Sequence, residues 1–258
     1  MATDGTGRHR VATDLVVEGE SCHDVWSPSS RFLVTGVDVV RGSKGRIVVI
    51  DVASGQARFM TPESGQAKCP IWSPDGQWIA YTTSDLVLER VRADGRGAES
   101  LTTDAGGATS WSDDGWIYWE HPDRGASRTQ VDTRETETVS DARFGTGHAP
   151  ALSPDGAQLA VIYGVQRRGP WNLYLSAPDG SDAHRLASDV LTWDGWSTDG
   201  QYLLFVWAPP SDSGETGGLV ALRPDGSDRR LLRPFDATCP PADSSSCFKD
   251  VGWGQSRP

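Results

Sequence analysis

Trp72-Ser-Pro-Asp-Gly-Gln-Trp-Ile-Ala-Tyr-Thr-Thr83 is the stretch whose reading decides the fold. Pro74 holds its φ near −65°, and Asp75 and Gly76 follow it. That order is the chemistry of a type I turn closed by a residue in the left-handed region, a common hairpin connection. The flanks Pro70-Ile-Trp-Ser73 and Trp78-Ile-Ala-Tyr-Thr82 are apolar, aromatic or β-branched. They are too short for a stable helix and suit strands. The stretch therefore predicts a β-hairpin with a large aromatic residue at the end of its first strand.

The pattern recurs. It returns as Trp26-Ser-Pro-Ser-Ser-Arg-Phe-Leu-Val34, Trp111-Ser-Asp-Asp-Gly-Trp-Ile-Tyr118, Leu152-Ser-Pro-Asp-Gly-Ala-Gln-Leu-Ala160 and Trp196-Ser-Thr-Asp-Gly-Gln-Tyr-Leu-Leu204. A degraded sixth copy is Val251-Gly-Trp-Gly254. The anchor positions 26, 72, 111, 152, 196 and 253 fall 39 to 46 residues apart, with 57 before the last. That period belongs to propeller blades of four short strands. Third strands are expected at 45–51, 86–90, 171–175 and 218–222. A second turn follows each, at Ala53-Ser-Gly55, Ala93-Asp-Gly95, Pro178-Asp-Gly180 and Pro224-Asp-Gly226. Short fourth strands then follow, as at 57–61 and 229–233. The third repeat is the most polar, and its outer strands are expected at 129–133 and 137–140.

The repeated Trp-Ser-Pro-Asp-Gly signature, an Ile-Ala-Tyr-like strand and an Asp-Gly turn resemble the TolB-type β-propeller repeat, over roughly residues 11 to 254. The resemblance implies an all-β propeller. It says less about function, because such repeats serve periplasmic scaffolds, sensor domains and the propeller halves of some peptidases. Residues 1–10 are read as a disordered N-terminal segment and 11–258 as a single propeller domain. Arg10-Val-Ala-Thr-Asp-Leu-Val-Val17 is expected to supply an outer strand, and Phe248-Lys-Asp-Val-Gly-Trp253 an inner one. Together they would close a reduced sixth blade from both termini and remove two open sheet edges. A five-bladed ring is the alternative.

Composition excludes several classes. A formal net charge of −11 offers no basic face for nucleic acid phosphates. No apolar run approaches the roughly 20 residues of a membrane span. The start, Met1-Ala-Thr-Asp-Gly-Thr-Gly7, is polar and is not read as a signal peptide. The eleven Trp residues are read as packing between neighbouring blades, not as a sugar-binding track. Of the four cysteines, Cys239 and Cys247 bracket a Pro/Ser-rich insertion, while Cys22 and Cys69 hold matching points of adjacent repeats. Cys239–Cys247 and Cys22–Cys69 are the expected disulfides, although four cysteines allow three pairings. Even count and local spacing favour an oxidising, extracytoplasmic compartment.

Chemical motifs are sparse. Gly19-Glu-Ser-Cys-His23 lacks the closing glycine of a nucleophile elbow and the helix that should follow it. There is no His-Glu-x-x-His and no pair of Cys-x-x-Cys motifs, so no metal or cofactor is expected. One constellation remains. Residues shortly before each anchor should begin the inner strands and ring one mouth of the central channel: Cys22, His23, Lys68, Cys69, His148, Trp193, Lys249 and Asp250. The loops between second and third strands emerge on that side, at 38–46, 121–127, 164–170 and 208–218. They bring Arg41, Arg46, Arg167 and Arg168 to it. The opposite side carries the short Asp-Gly turns. Loops of unequal length on a rigid scaffold are where binding usually resides. The candidate binding residues are accordingly His23, Arg41, Arg46, His148, Arg167, Arg168, Trp193 and Asp250.

The leading reading is a monomeric, non-enzymatic binding propeller that presents its loop-rich side to a protein or peptide. One alternative is a small propeller lyase or hydrolase with a ligand or metal site at the channel mouth, which needs His23, His148 and Asp250 to converge. Another is a sensor domain of a larger envelope protein.

Overall fold

A computed structural model describes residues 25–37, 45–63, 66–121, 125–164, 170–210 and 212–235. The segments 10–17 and 248–253, on which the closure of the ring is read, lie outside the described residues, as does the N-terminal segment 1–10.

Each of the five complete repeats becomes four antiparallel strands. The first is β1 (Val25–Trp26), β2 (Phe32–Val37), β3 (Arg46–Asp51) and β4 (Ala57–Phe59). The second is β5 (Ala67–Trp72), β6 (Trp78–Thr83), β7 (Leu88–Arg92) and β8 (Glu99–Thr102). The third is β9 (Ala108–Trp111), β10 (Trp116–His121), β11 (Gly125–Gln130) and β12 (Thr136–Thr138). The last two share one seven-stranded sheet of β13 (Thr146–Leu152), β14 (Leu159–Gly164), β15 (Trp171–Ser176), β16 (His184–Trp196), β17 (Leu203–Trp207), β18 (Gly218–Leu222) and β19 (Arg230–Pro234). They are fused because β16 does two jobs. Its first half pairs with β15 and ends the fourth repeat; its second half pairs with β17 and begins the fifth. A single 3-10 turn, Ala142–Phe144, is the helical element among the described residues. The fold is an all-β propeller built of four-stranded blades.

The repeated turn explains its own sequence, including the serine that turn propensities alone leave unexplained. Gly76 has φ +68°, and its N–H donates to the Ser73 carbonyl. Ser73 is buried; its Oγ donates to Asp75 Oδ1 at 2.6 Å and accepts from the Trp78 N–H at 2.9 Å. Asp75 Oδ1 also accepts the Gln77 N–H at 2.9 Å. The same set recurs around Ser153 and Asp155, and around Ser197 and Asp199. Thus a buried hydroxyl, a carboxylate and a glycine satisfy the turn's backbone without outside help, as buried polar groups require. Neighbouring turns also stack: the Pro28 ring lies 3.6 Å from where a Gly76 Cβ would stand, and Pro154 lies 3.5 Å from that of Gly200.

The chain divides into two compact units, one of residues 1–121 with 129–136, the other of 122–128 with 137–258. In the first, Val34, Ile47 and Val49 pack against Trp72, Ile79, Tyr81 and Val91. A second cluster joins Ile71, Ala80, Leu88 and Leu101 to Ala108, Ile117, Trp119 and Val131. In the second unit, Ala160, Ile162, Leu173 and Leu175 pack against Trp193, Leu203, Phe205 and Val220. All three cores lie between successive blades.

Three local expectations are corrected. The third strand of the third repeat is Gly125–Gln130, and residues 131–133 form the turn after it. Its small polar residues read as loop because their burial does not show in hydrophobicity: Thr129 is fully buried and accepts the Trp119 Nε1–H at 2.9 Å. The strand read at 86–90 starts at Leu88, because Leu86 occupies a turn with φ +59° and donates its N–H to the Thr83 carbonyl. The anchor residues are also unequally buried. Trp72 is 8 % exposed and Trp26 38 %, while Trp111, Leu152 and Trp196 are half-buried. Trp196 turns its Nε1–H to the Ala151 carbonyl at 3.0 Å, tying the inner strands of the fourth and fifth blades together.

Candidate functional site

Five of the eight candidate binding residues (His23, Arg41, Arg167, Arg168 and Asp250) lie outside the described residues, as do Cys22, Cys239 and Cys247. The other three are placed as follows. Arg46 begins β3, and its side chain is 13 % exposed. Its Nε and Nη2 both donate to the Thr61 carbonyl, at 3.0 and 2.7 Å, and its guanidinium stacks 3.9 Å from the Phe59 ring centroid. Arg46 thus clamps the link from β4 to β5. Trp193 is 8 % exposed within the core of the second unit. His148 sits half-buried on β13, opposite Ile162, at the edge of a bulge. Cys69 is disulfide-bonded.

The inner strands β5, β13 and β16 all slip register shortly before their anchors, at 68–71, 148–151 and 193–195. Bulges of this kind re-aim a side chain at the end of a strand. In β16 the extra residue is Asp194, which sequence reasoning passed over in favour of its neighbour Trp193. Its Oδ2 is buried without a hydrogen-bond partner, and burial pushes its carboxyl up to about 7. The signal that marks it is a lone acid between Trp193 and Gly195 inside an inner strand.

Clefts open on both sides of the first unit. On the turn side, one of about 240 Å³ lies between the first two hairpins, against Phe32 and Trp72. Another of about 380 Å³ lies between the second and third, against Trp78 and Trp111. Trp78 carries Arg90 and Arg92 over its ring, at 4.4 and 4.6 Å from the centroid. The turn side also bears a row of carboxylates held below the usual range. Asp75, Asp155 and Asp199 are each lowered first by the serine hydroxyl and then by a backbone N–H; Ser181 and Ser227 do the same for Asp179 and Asp225.

The loop-side cleft is different. It measures about 390 Å³ and is lined by the β4–β5 link (Thr61, Pro62, Gln66) and by the connection from β6 to β7 (Thr83, Ser84, Asp85, Val87). Tyr81 and Glu89 complete it. The Tyr81 hydroxyl donates to Glu89 Oε2 at 2.8 Å. Burial, and then Glu89 beside it, push the phenol well above its ordinary value, so Tyr81 remains a donor. Among the described residues, no three His, Cys, Asp or Glu side chains gather in a way that would hold a metal ion.

The architecture and the strand count per blade define a β-propeller. Its likeness is to TolB: the structure of a putative TolB from Agrobacterium tumefaciens matches 82 % of this chain and 80 % of its own, at 16 % identity and a TM-score of 0.65. TolB from Acinetobacter baumannii matches 80 % of this chain at 17 % identity and a TM-score of 0.64, with 52 % of its own length covered. The chain has the TolB-like propeller fold. An oligogalacturonate lyase in complex with manganese shares that fold at 15 % identity and a TM-score of 0.64, over 83 % of this chain and 65 % of the lyase. In sequence, an uncharacterized protein of Agrobacterium fabrum is 31 % identical over 157 residues, 53 % of each chain. The chain thus spans about half the length of that curated relative. No family model matches it.

Proposed function

We propose that the chain is a non-catalytic binding propeller that presents its loop-bearing side to a protein or peptide partner. The observation that carries this reading is the contrast between the two sides. On the turn side the Ser-Asp-Gly sets satisfy one another and stack through Pro28 and Pro154. Clefts open on both sides, but those on the turn side lie against Trp72, Trp78 and Trp111, whereas the loop-side cleft of about 390 Å³ is lined mainly by polar residues, Thr83, Ser84, Asp85 and Glu89 among them. Surfaces whose polar groups are already paired gain little from a partner, whereas loops of unequal length on a rigid scaffold are where binding usually resides. The TolB likeness supports the reading at the level of fold. The disulfide at Cys69 supports an extracytoplasmic setting. Cys22 is its proposed partner, with Cys239–Cys247 as the second bond.

The test is a pair of charge reversals. Arg167→Glu with Arg168→Glu should weaken capture of the partner from a native envelope fraction and flatten the salt dependence of binding. Asp179→Lys with Asp225→Lys, on the turn side, should leave it unchanged. Loss of binding in the turn-side pair alone would assign the function to the opposite face. The lyase reading finds support in the manganese-bound lyase of the same fold. It requires metal to be retained by the purified chain and lost on His148→Ala.

A further inference from the structure

We propose that the loop-side cleft of the first unit is a cation pocket that receives a lysine side chain of the partner. This rests on the loop-side reading above and names what that side recognises.

The first observation is an unneutralised carboxylate. Two other strand acids are clamped by arginine: Glu99 takes Arg90 at 2.6 Å and Arg134 at 2.8 Å, and Glu137 takes Arg128 at 2.7 Å. Glu89, on the same strand as Arg90 but on its other face, receives only hydroxyls. These are Tyr81 on Oε2 at 2.8 Å and Ser100 on Oε1 at 3.4 Å. A carboxylate has about four acceptor positions, so roughly two remain. A ligand that brings a cation would fill those positions with charge-assisted hydrogen bonds.

The second observation is the lining. Asp85 adds another carboxylate at the rim, and among the described residues no Arg, Lys or His side chain lines the cleft. Arg46 stands behind it, committed to the Thr61 carbonyl and the Phe59 ring. The remaining surface mixes hydroxyls with the apolar Pro62, Ala67 and Val87. A compact ammonium with three donors matches scattered hydroxyl and carboxylate acceptors, and a four-carbon stem matches the apolar wall. A guanidinium calls for a planar, bidentate acceptor, whereas both Glu89 oxygens are already engaged by hydroxyls. Hence the commitment to lysine.

The experiment titrates the whole chain with acetyl-lysine-methylamide, acetyl-norleucine-methylamide and acetyl-arginine-methylamide, read by amide chemical shifts. The lysine probe should shift cleft residues saturably, the norleucine probe should not, and the arginine probe should bind more weakly. Glu89→Gln keeps an acceptor for Tyr81 and should weaken the lysine probe roughly tenfold or more, the loss expected for one charge-assisted hydrogen bond. Asp85→Asn, at an exposed rim, provides the same test with no threat to folding. Equal shifts from the lysine and norleucine probes, stronger binding of arginine, or undiminished binding in both variants would each overturn the proposal. If the probe fails while the Arg167/Arg168 reversal still abolishes partner binding, the pocket chemistry is wrong and the binding face stands. If the probe binds but partner capture follows only the turn-side charges, the pocket stands and the face is wrong.

Discussion

Asp194→Asn should stabilise the protein in a pH-dependent way. The carboxyl is pushed up to about 7 in the folded chain by burial alone, and its Oδ2 has no partner. An unfolded aspartate titrates near 3.9. The folded state therefore keeps its proton over a range in which the unfolded state releases it. Below about pH 4 both states are protonated and the group has no effect. From there to about pH 7 stability falls as pH rises, and above 7 the whole cost is present. A gap of about three pH units corresponds to about 4 kcal/mol in full, of which about 2–3 kcal/mol accrues between pH 5 and pH 8. Asparagine cannot ionise, so its advantage over the wild type should widen by that amount across the interval. The assay is urea unfolding of both proteins at pH 5, 6.5 and 8. All other charged groups are common to both proteins and cancel in the difference. An unpaired amide in the variant adds an offset that does not change with pH. Parallel stability curves for the two proteins would refute the reasoning, since they would mean that Asp194 ionises as an exposed acid does.

Two further predictions concern the scaffold. Trp72→Ala should cost about 3–5 kcal/mol by leaving a cavity between two blades, whereas Trp26→Ala, at a more exposed copy of the same position, should cost well under half of that in the same thermal scans. Counting thiols on unfolded, unreduced protein should find none; a count of two would leave one bond, and four would remove the case for an oxidising compartment.

The fold was legible because its information is local. Ser73, Pro74, Asp75 and Gly76 make one turn from four adjacent residues, and the same serine–aspartate chemistry recurs around Ser153 and Ser197. Strand ends were read to within a residue or two wherever an Asp-Gly turn bounded them, as at Gly218–Leu222. The misreading at Gly125–Gln130 has the opposite cause. That strand is buried through hydroxyls, with Ser140 Oγ accepting the Ala126 N–H at 3.1 Å and Thr129 accepting from Trp119. Partners ten or more residues away turn polar residues into core, and hydropathy patterning does not register them.

The candidate site was less legible for the same reason, carried further. Arg46 looked available as a loop arginine, yet Phe59 and Thr61 already hold it. Its charge is a property of the residue; its availability is a property of what lies 13 and 15 positions onward. The loop-side cleft is assembled from the β4–β5 link, from Tyr81, and from residues 83–89, three stretches that share no motif. What separates Glu89 from Glu99 is only which face of the sheet each takes, since Arg90 and Arg134 serve one and hydroxyls serve the other. Blade repeats specify the scaffold by repetition, so a site on it must be sought where a residue departs from its copies' pairing. Glu89, with no basic partner, and Asp194, with a bare Oδ2, are two such departures.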